Sequence, residues 1–122
     1  MKNRDPLTER IIACCYRVHS ELGPGFTEKI YHAALKFALN QEGLKFETEK
    51  RFEVYYQNNK VGYLVIDLVV ENEVVVEIKA LACNVPDVFK YQVLSYLKAS
   101  NLKVGLLVNF GNKSCQVKRL IN

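Results

Sequence analysis

Leu64-Val65-Ile66-Asp67-Leu68-Val69-Val70, then Glu71-Asn72-Glu73, then Val74-Val75-Val76-Glu77-Ile78-Lys79 is the stretch on which the fold turns. Two apolar, β-branched runs of strand length flank a short polar turn, which predicts two antiparallel strands of a well-covered sheet. Both runs carry charges, Asp67 in the first and Glu77 and Lys79 in the second, and an ionised side chain is costly to bury unpaired. Side chains alternate along a strand, so Glu77 and Lys79 share one face. Asp67 joins them in only one class of registers. A two-residue turn, Glu71-Asn72, pairs position 70 with 73 and puts Asp67 on the opposite face. A three-residue turn pairs 70 with 74, sets Asp67 across from Glu77 and sets Val65 across from Lys79. The three-residue turn is expected, with Asn72 or Glu73 near the left-handed region.

Working outward, Asp5 can cap a helix that has Pro6 at its first position. Leu7, Ile11, Cys14 or Cys15, Val18 and Leu22 recur at helical spacing until Gly23-Pro24-Gly25 stops it. A second helix runs from about Thr27, its N-cap, to about Gln41, with Ile30, Tyr31, Ala34, Leu35, Ala38 and Leu39 as its apolar stripe and Gly43 as its exit. The period then changes to two. Phe46 to Tyr56 reads as a strand, Gln57-Asn58-Asn59-Lys60 as a turn in which Asn58-Asn59 tolerates positive φ, and Val61 to Val70 as the return strand.

On the other side of Lys79 a loop ends at Pro86, where a helix begins that runs to about Ser100, with Asn84 or Asp87 as its cap. Val104 to Asn109 is a further buried strand, Gly111-Asn112 a turn, and about Cys115 to Ile121 a closing strand. The order ααβββαββ predicts an α/β fold with a central mixed sheet flanked by helices. No repeat or low-complexity linker interrupts it, so one domain is expected over residues 1–122.

The composition agrees, with 122 residues, 49% hydrophobic and 25% charged; that is one ordinary domain of a soluble chain and argues against a two-domain enzyme. No apolar run approaches the roughly 20 residues of a membrane helix. The opening Met1-Lys2-Asn3-Arg4-Asp5-Pro6 is polar where a signal peptide is apolar, so a cytoplasmic location without membrane association is expected. Cys14, Cys15, Cys83 and Cys115 form no Cys-x-x-Cys pair and are expected to be buried free thiols, with zinc or redox chemistry as the alternative. The net charge of +4 is uneven: residues 80–122 hold 6 Lys/Arg against one acid, Asp87. A basic segment of this kind suits a polyanion such as nucleic acid.

The chemistry rests on Asp67, Glu77 and Lys79. Two carboxylates a few Å apart on facing strands repel each other unless a divalent cation lies between them, and hard oxygen donors select Mg²⁺ or Mn²⁺. A neighbouring lysine can hold a nucleophilic water or offset charge that develops on a phosphorane-like transition state. The bland alternative is an exposed Glu77–Lys79 pair worth at most about 1 kcal/mol.

The chain resembles the GxxExxY proteins, a branch of the PD-(D/E)XK nuclease-like superfamily, through Gly25-Phe26-Thr27-Glu28-Lys29-Ile30-Tyr31. The likeness continues through Ile66 to Val70, Val76 to Ala80, Gln92 to Lys98, Gly105 to Gly111 and Lys118-Arg119. This resemblance implies a restriction-endonuclease-like core. It also implies that Asp67 and Glu77 bind metal, that Lys79 is the catalytic lysine, that Glu28 is an additional acid from the preceding helix, and that Gln92 is a polar helix residue facing the site. Glu28 and Tyr31 are three apart on one helix and Gln92 and Tyr96 four apart on another, so each pair can reach one place. The two tyrosines either orient a phosphate or pack. Relatives often carry a histidine three residues before the glutamine, where this chain has Phe89, so a histidine-assisted step is not expected.

His19 and His32 lie outside these motifs and are expected to play ordinary structural roles. Gly105 and Gly111 precede no Lys-Ser/Thr phosphate loop and more often mark close backbone approach or a turn. Lys118 and Arg119 are adjacent on a strand and point to opposite faces, so they cannot line one groove together. The expected function is Mg²⁺- or Mn²⁺-dependent phosphodiester hydrolysis of nucleic acid, DNA in the first instance, by a metal-activated water. The rival is a catalytically silent module that binds nucleic acid or protein on the same fold. A homodimer is expected, since a small domain acting on a duplex gains a second contact that way.

Overall fold

The structure, a computed structural model, describes residues 5–122; the polar opening from Met1 to Arg4 lies outside them. Eight elements follow in the expected order: α1 (Pro6–Leu22), α2 (Glu28–Gln41), β1 (Phe46–Tyr56), β2 (Asn59–Val70), β3 (Val74–Lys79), α3 (Asp87–Ser100), β4 (Val104–Asn109) and β5 (Gln116–Ile121). Asp5 caps α1 by accepting from the Leu7 N–H, with Pro6 at the first helical position. Thr27 caps α2 through the Ile30 N–H. Neither Asn84 nor Asp87 caps α3. Pro86 fills that position in an extended conformation, with no side-chain bond, and Asp87 is already helical. Among the described residues no helix is long and apolar enough to cross a membrane.

The five strands form one mixed sheet in sequence order, with β3 and β4 parallel and the other neighbours antiparallel. The β2–β3 turn holds three residues, and Val70 pairs with Val74 as the sequence predicts. In that turn Asn72 (φ 54°) takes the left-handed conformation, as one of the two expected residues, and Glu71 (φ 53°) rather than Glu73 joins it. The β1–β2 turn is tighter than expected. Tyr56 pairs with Asn59 across Gln57 (φ 49°) and Asn58 (φ 68°), rather than across Asn58-Asn59. Two central residues at positive φ match the twist of the flanking strands.

α1 and α2 cover one face of the sheet and α3 the other. Ile11, Cys15, Tyr31, Leu35 and Leu39 meet Val74, Val76, Ile78, Leu106 and Val108 on the first face. Val93 and Leu97 of α3 meet Val75, Leu107 and Leu120 on the second. Strict alternation along β3 and β4 produces this three-layer arrangement. Gly105 is buried because α3 crosses there; a Cβ would lie 2.6 Å from Val93 Cγ1. Of the cysteines, Cys14 and Cys15 are buried, Cys115 is half-buried and Cys83, on the β3–α3 loop, is exposed; all four are free.

Alternation breaks twice in the β1–β2 ribbon, once at a bulge that leaves Val61 unpaired between Val54↔Gly62 and Tyr55↔Lys60, and once nearer its middle. Phe46 of β1 and Leu68 and Val70 of β2 pack with the α1/α2 layer, whereas Phe52 of β1 and Leu64 and Ile66 of β2 pack with α3. Residues of the same parity thus change faces between Thr48↔Leu68 and Lys50↔Ile66, where Glu49 adopts φ 51° and the ladder skips Glu49 and Asp67. The β1–β2 ribbon therefore kinks at Glu49 and Asp67 without changing register.

Candidate active site

β2 and β3 pair only at Val70↔Val74 and Val69↔Val75 and then part. The register points Asp67 toward Glu77, but no ladder joins them, nor Val65 to Lys79, so the sheet opens as a fork at this level. Glu77 stands on one prong, 5% exposed, and its Oε2 lies 3.4 Å from Lys79 Nζ, with both side chains largely buried. The pair is therefore not the exposed surface pair of the bland reading. Burial raises the Glu77 carboxyl above its usual range; Lys79 opposes this, while the charges of Asp67 and Glu28 reinforce it. Lys79 Nζ also sits 4.1 Å from the centre of the Phe89 ring. Phe89 thus offers the ammonium a π face.

Asp67 stands on the other prong, and the kink leaves it exposed rather than enclosed in its strand. It lines an open cleft of about 440 Å³ with Glu28, Lys29, His32 and Lys36 of α2 and Thr48, Glu49 and Val65 of the ribbon. Glu28 is the first residue of α2, where a carboxylate is favoured by the helix dipole. The structure thus brings Asp67, Glu77 and Glu28 within electrostatic reach of one another.

Tyr31 does not join them. It has no exposed surface, its ring stacks on Phe110 at 4.8 Å, and its hydroxyl donates to the Gly23 carbonyl while accepting from the Phe26 N–H. Three residues along a helix turn the side chain about 60° from Glu28, enough here to send Tyr31 into the core while Glu28 stays at the cleft. Its effect on the site is to fasten the Gly23–Phe26 loop to α2. Gly25, at φ 111°, makes that loop possible.

On α3, Tyr96 is half-buried and its hydroxyl is pushed up to about 12, by burial first and then by the charges of Glu77 and Asp67. Tyr96 packs against the Ile66, Val69, Val75 and Leu97 cluster and stays a neutral phenol that feels both charges. Gln92 is exposed and lies between Phe89, which touches Lys79, and Tyr96 on the same helix. Phe89, Gln92 and Tyr96 follow the i, i+3, i+7 pattern of one face.

Two contributors escaped the sequence reading. His32, one turn after Glu28, lines the cleft, and its Nε2 is buried without a hydrogen-bond partner. Burial and then Lys36 lower its imidazole below the ordinary value, against the pull of Asp67, Glu28 and Glu49. The i, i+4 spacing from Glu28 was the available signal. The second is Asn109, fully buried and paired with Lys79 in the β3–β4 ladder. Its Oδ1 accepts from the N–H groups of Leu81 and Gly111, and its Nδ2 donates to the carbonyls of Leu81 and Cys83 and to Gln116 Oε1. This clamps the chain just beyond Lys79. A side chain at Gly111 would collide with the Leu81 backbone, so the glycine marks a close approach and not a phosphate loop.

The family model of the PD-(D/E)XK nuclease superfamily matches residues 5–120, nearly the whole chain. The chain belongs to the PD-(D/E)XK nuclease superfamily. No curated protein and no solved structure matches it. The superfamily's nucleases generally use divalent metal ions, and the donor chemistry here fits one. The carboxylates of Asp67, Glu77, Glu28 and Glu49 outnumber the ammonium groups of Lys79, Lys29 and Lys36 around the fork and its cleft, and Glu77 is raised by burial and further by the charges of Asp67 and Glu28. Hard oxygen donors with excess negative charge suit a hard dication. Among the described residues, no three His, Cys, Asp or Glu side chains are already gathered as a ligand cluster.

Proposed function

We propose that this PD-(D/E)XK protein is a divalent-metal-dependent nuclease that hydrolyses phosphodiester bonds of nucleic acid, DNA in the first instance. The observation that carries the reading is the buried Glu77–Lys79 pair at the fork, with Asp67 and Glu28 acting on the same carboxylate. Asp67, Glu77 and Glu28 would hold Mg²⁺ or Mn²⁺, directly or through water. When bound, the ion supplies Lewis-acid charge and lowers the pKa of water. Lys79, held by Glu77 and by the Phe89 ring, keeps its ammonium beside the carboxylates, where it orients the attacking water and offsets charge growing on the phosphate. Tyr96 and Gln92 present neutral hydrogen-bonding groups from α3 toward the same place. Two copies of the chain acting together on a duplex remain part of this proposal.

One observation favours a second reading, a silent binding module on the same fold: the carboxylates are near one another but are not already assembled as a ligand cluster. Melting temperatures with Mn²⁺, Mg²⁺ or EDTA separate the two. A metal centre gives a rise of several degrees with Mn²⁺ in the parent and none in Glu77→Ala. A parent that responds to DNA and ignores both ions is the binding module.

A further inference from the structure

The proposed centre leaves the outer face of the β1–β2 ribbon unused. Tyr55 and Tyr63 are 62% and 55% exposed and share one face near the hairpin tip, since Tyr63 lies opposite Glu53 and Tyr55 is two residues beyond it on β1; Tyr56, next to Tyr55, points to the other face. Isolated exposed apolar residues need no explanation, but a group does. In the ladder, Tyr63 lies opposite Glu53 and Val65 opposite Arg51, so Arg51, Tyr63 and Val65 share a face. The Arg51 guanidinium carbon lies 3.7 Å from the centre of the Tyr63 ring. Val65 in turn lines the cleft that contains Asp67. The aromatic face is therefore continuous with the candidate site.

Charge follows the same path. Arg51 and Lys60 share the carboxylate of Glu53 at 3.5 and 3.0 Å, and Lys29 and Lys36 stand on the cleft wall beside Glu28, Glu49 and Asp67. An occupant must match flat ring faces, a planar cation and a line of ammonium groups that ends beside a carboxylate cleft. Bases exposed on a phosphate backbone match all three. A duplex matches only the charges, because its base faces are hidden.

We propose that this ribbon face is a stacking platform for single-stranded nucleic acid, leading an unpaired strand or end into the cleft at Asp67. The inference rests on the reading of the cleft as a nucleic-acid site and adds the form of the substrate. Stacking on aromatic side chains is tolerant of sequence, since every base has a π face, and arginine contributes to it.

The test is fluorescence anisotropy in EDTA, where no metal-dependent cleavage occurs, with a labelled oligothymidine of about 20 nucleotides and a duplex of equal length. The parent should bind the single strand at least about tenfold more tightly than the duplex. The double variant Tyr55→Leu/Tyr63→Leu keeps apolar surface and loses the rings; it should lose roughly tenfold or more on the single strand and little on the duplex. Its melting curve establishes that it folds. Parent-like binding by the double variant, or equal affinity for the two DNAs, overturns the platform. So does sedimentation that shows a dimeric parent and a monomeric variant of unchanged DNA affinity, which makes this face a contact between copies. Failure of the nuclease reading shows itself differently, as absence of metal-dependent cleavage while the single-strand preference in EDTA stands.

Discussion

Glu77 and Lys79, two residues apart on one face of β3, meet at 3.4 Å between Oε2 and Nζ with side-chain exposures of only 7% and 15%. A pair this enclosed gives up hydration that its mutual attraction only partly returns. A sheet with a purely structural task would be served as well by two apolar residues. The pair is instead kept where the sheet forks, beside the cleft that Asp67 and Glu28 line.

Removing the ammonium should make stability depend on pH at Glu77. The folded-state carboxyl is already raised by burial, and Lys79→Met removes the one charge that lowers it. A raised carboxyl costs nothing below its unfolded pKa of about 4.3, and its penalty grows as pH rises from there toward the folded value. Lys79→Met should therefore melt close to the parent near pH 4 and fall behind by about 3 kcal/mol at pH 7.5. Thermal melts across that range check it; a deficit that is the same at both ends would contradict the placement of Glu77.

Asn109 should matter more than its neutral side chain suggests. Asn109→Ala leaves backbone groups of Leu81, Cys83 and Gly111 without their partners in a part-buried loop, and we expect a loss of about 3 kcal/mol or more in urea unfolding. Asn112→Ala, which removes bonds to the Cys83 carbonyl and Gln116 Oε1 nearer the surface, should cost less than about 1 kcal/mol.

The approach of α3 to β4 at Gly105 can be tested by a cycle. Gly105→Ala puts a methyl 2.6 Å from Val93 Cγ1 and should cost about 1–3 kcal/mol. In a Val93→Ala background the same substitution should be nearly free, with a coupling of about 1 kcal/mol or more. Independent effects would place Gly105 elsewhere than against α3.

The register was legible because it rests on periodicity: two apolar runs around Glu71-Asn72-Glu73 admit few pairings, and the three-residue turn sets Val70 against Val74. The kink was not legible. It depends on Glu49 adopting φ 51°, a conformation for which glutamate carries no local signal. The kink turns Asp67 outward and opens it, with Glu49, onto the cleft that His32 lines from α2. The Gln57-Asn58 hairpin was misplaced by one residue for a similar reason, because glutamine seldom announces positive φ. Tyr31 was read with Glu28 from spacing alone, whereas its hydroxyl is spent on the Gly23–Phe26 loop. Asn109 stood in plain sight at the end of β4, but its five bonds go to a loop nearly thirty residues earlier in the chain, to Gly111 in the following turn and to Gln116 at the start of β5.

The most direct test of the proposed centre is the cleavage of end-labelled single-stranded, duplex and branched DNA by the purified protein in Mg²⁺, Mn²⁺ or EDTA, beside Lys79→Ala and Asp67→Ala. The account predicts products that need the metal and that fall by at least about a hundredfold in both variants. Products that persist in EDTA, or equal rates in parent and variants, would contradict it.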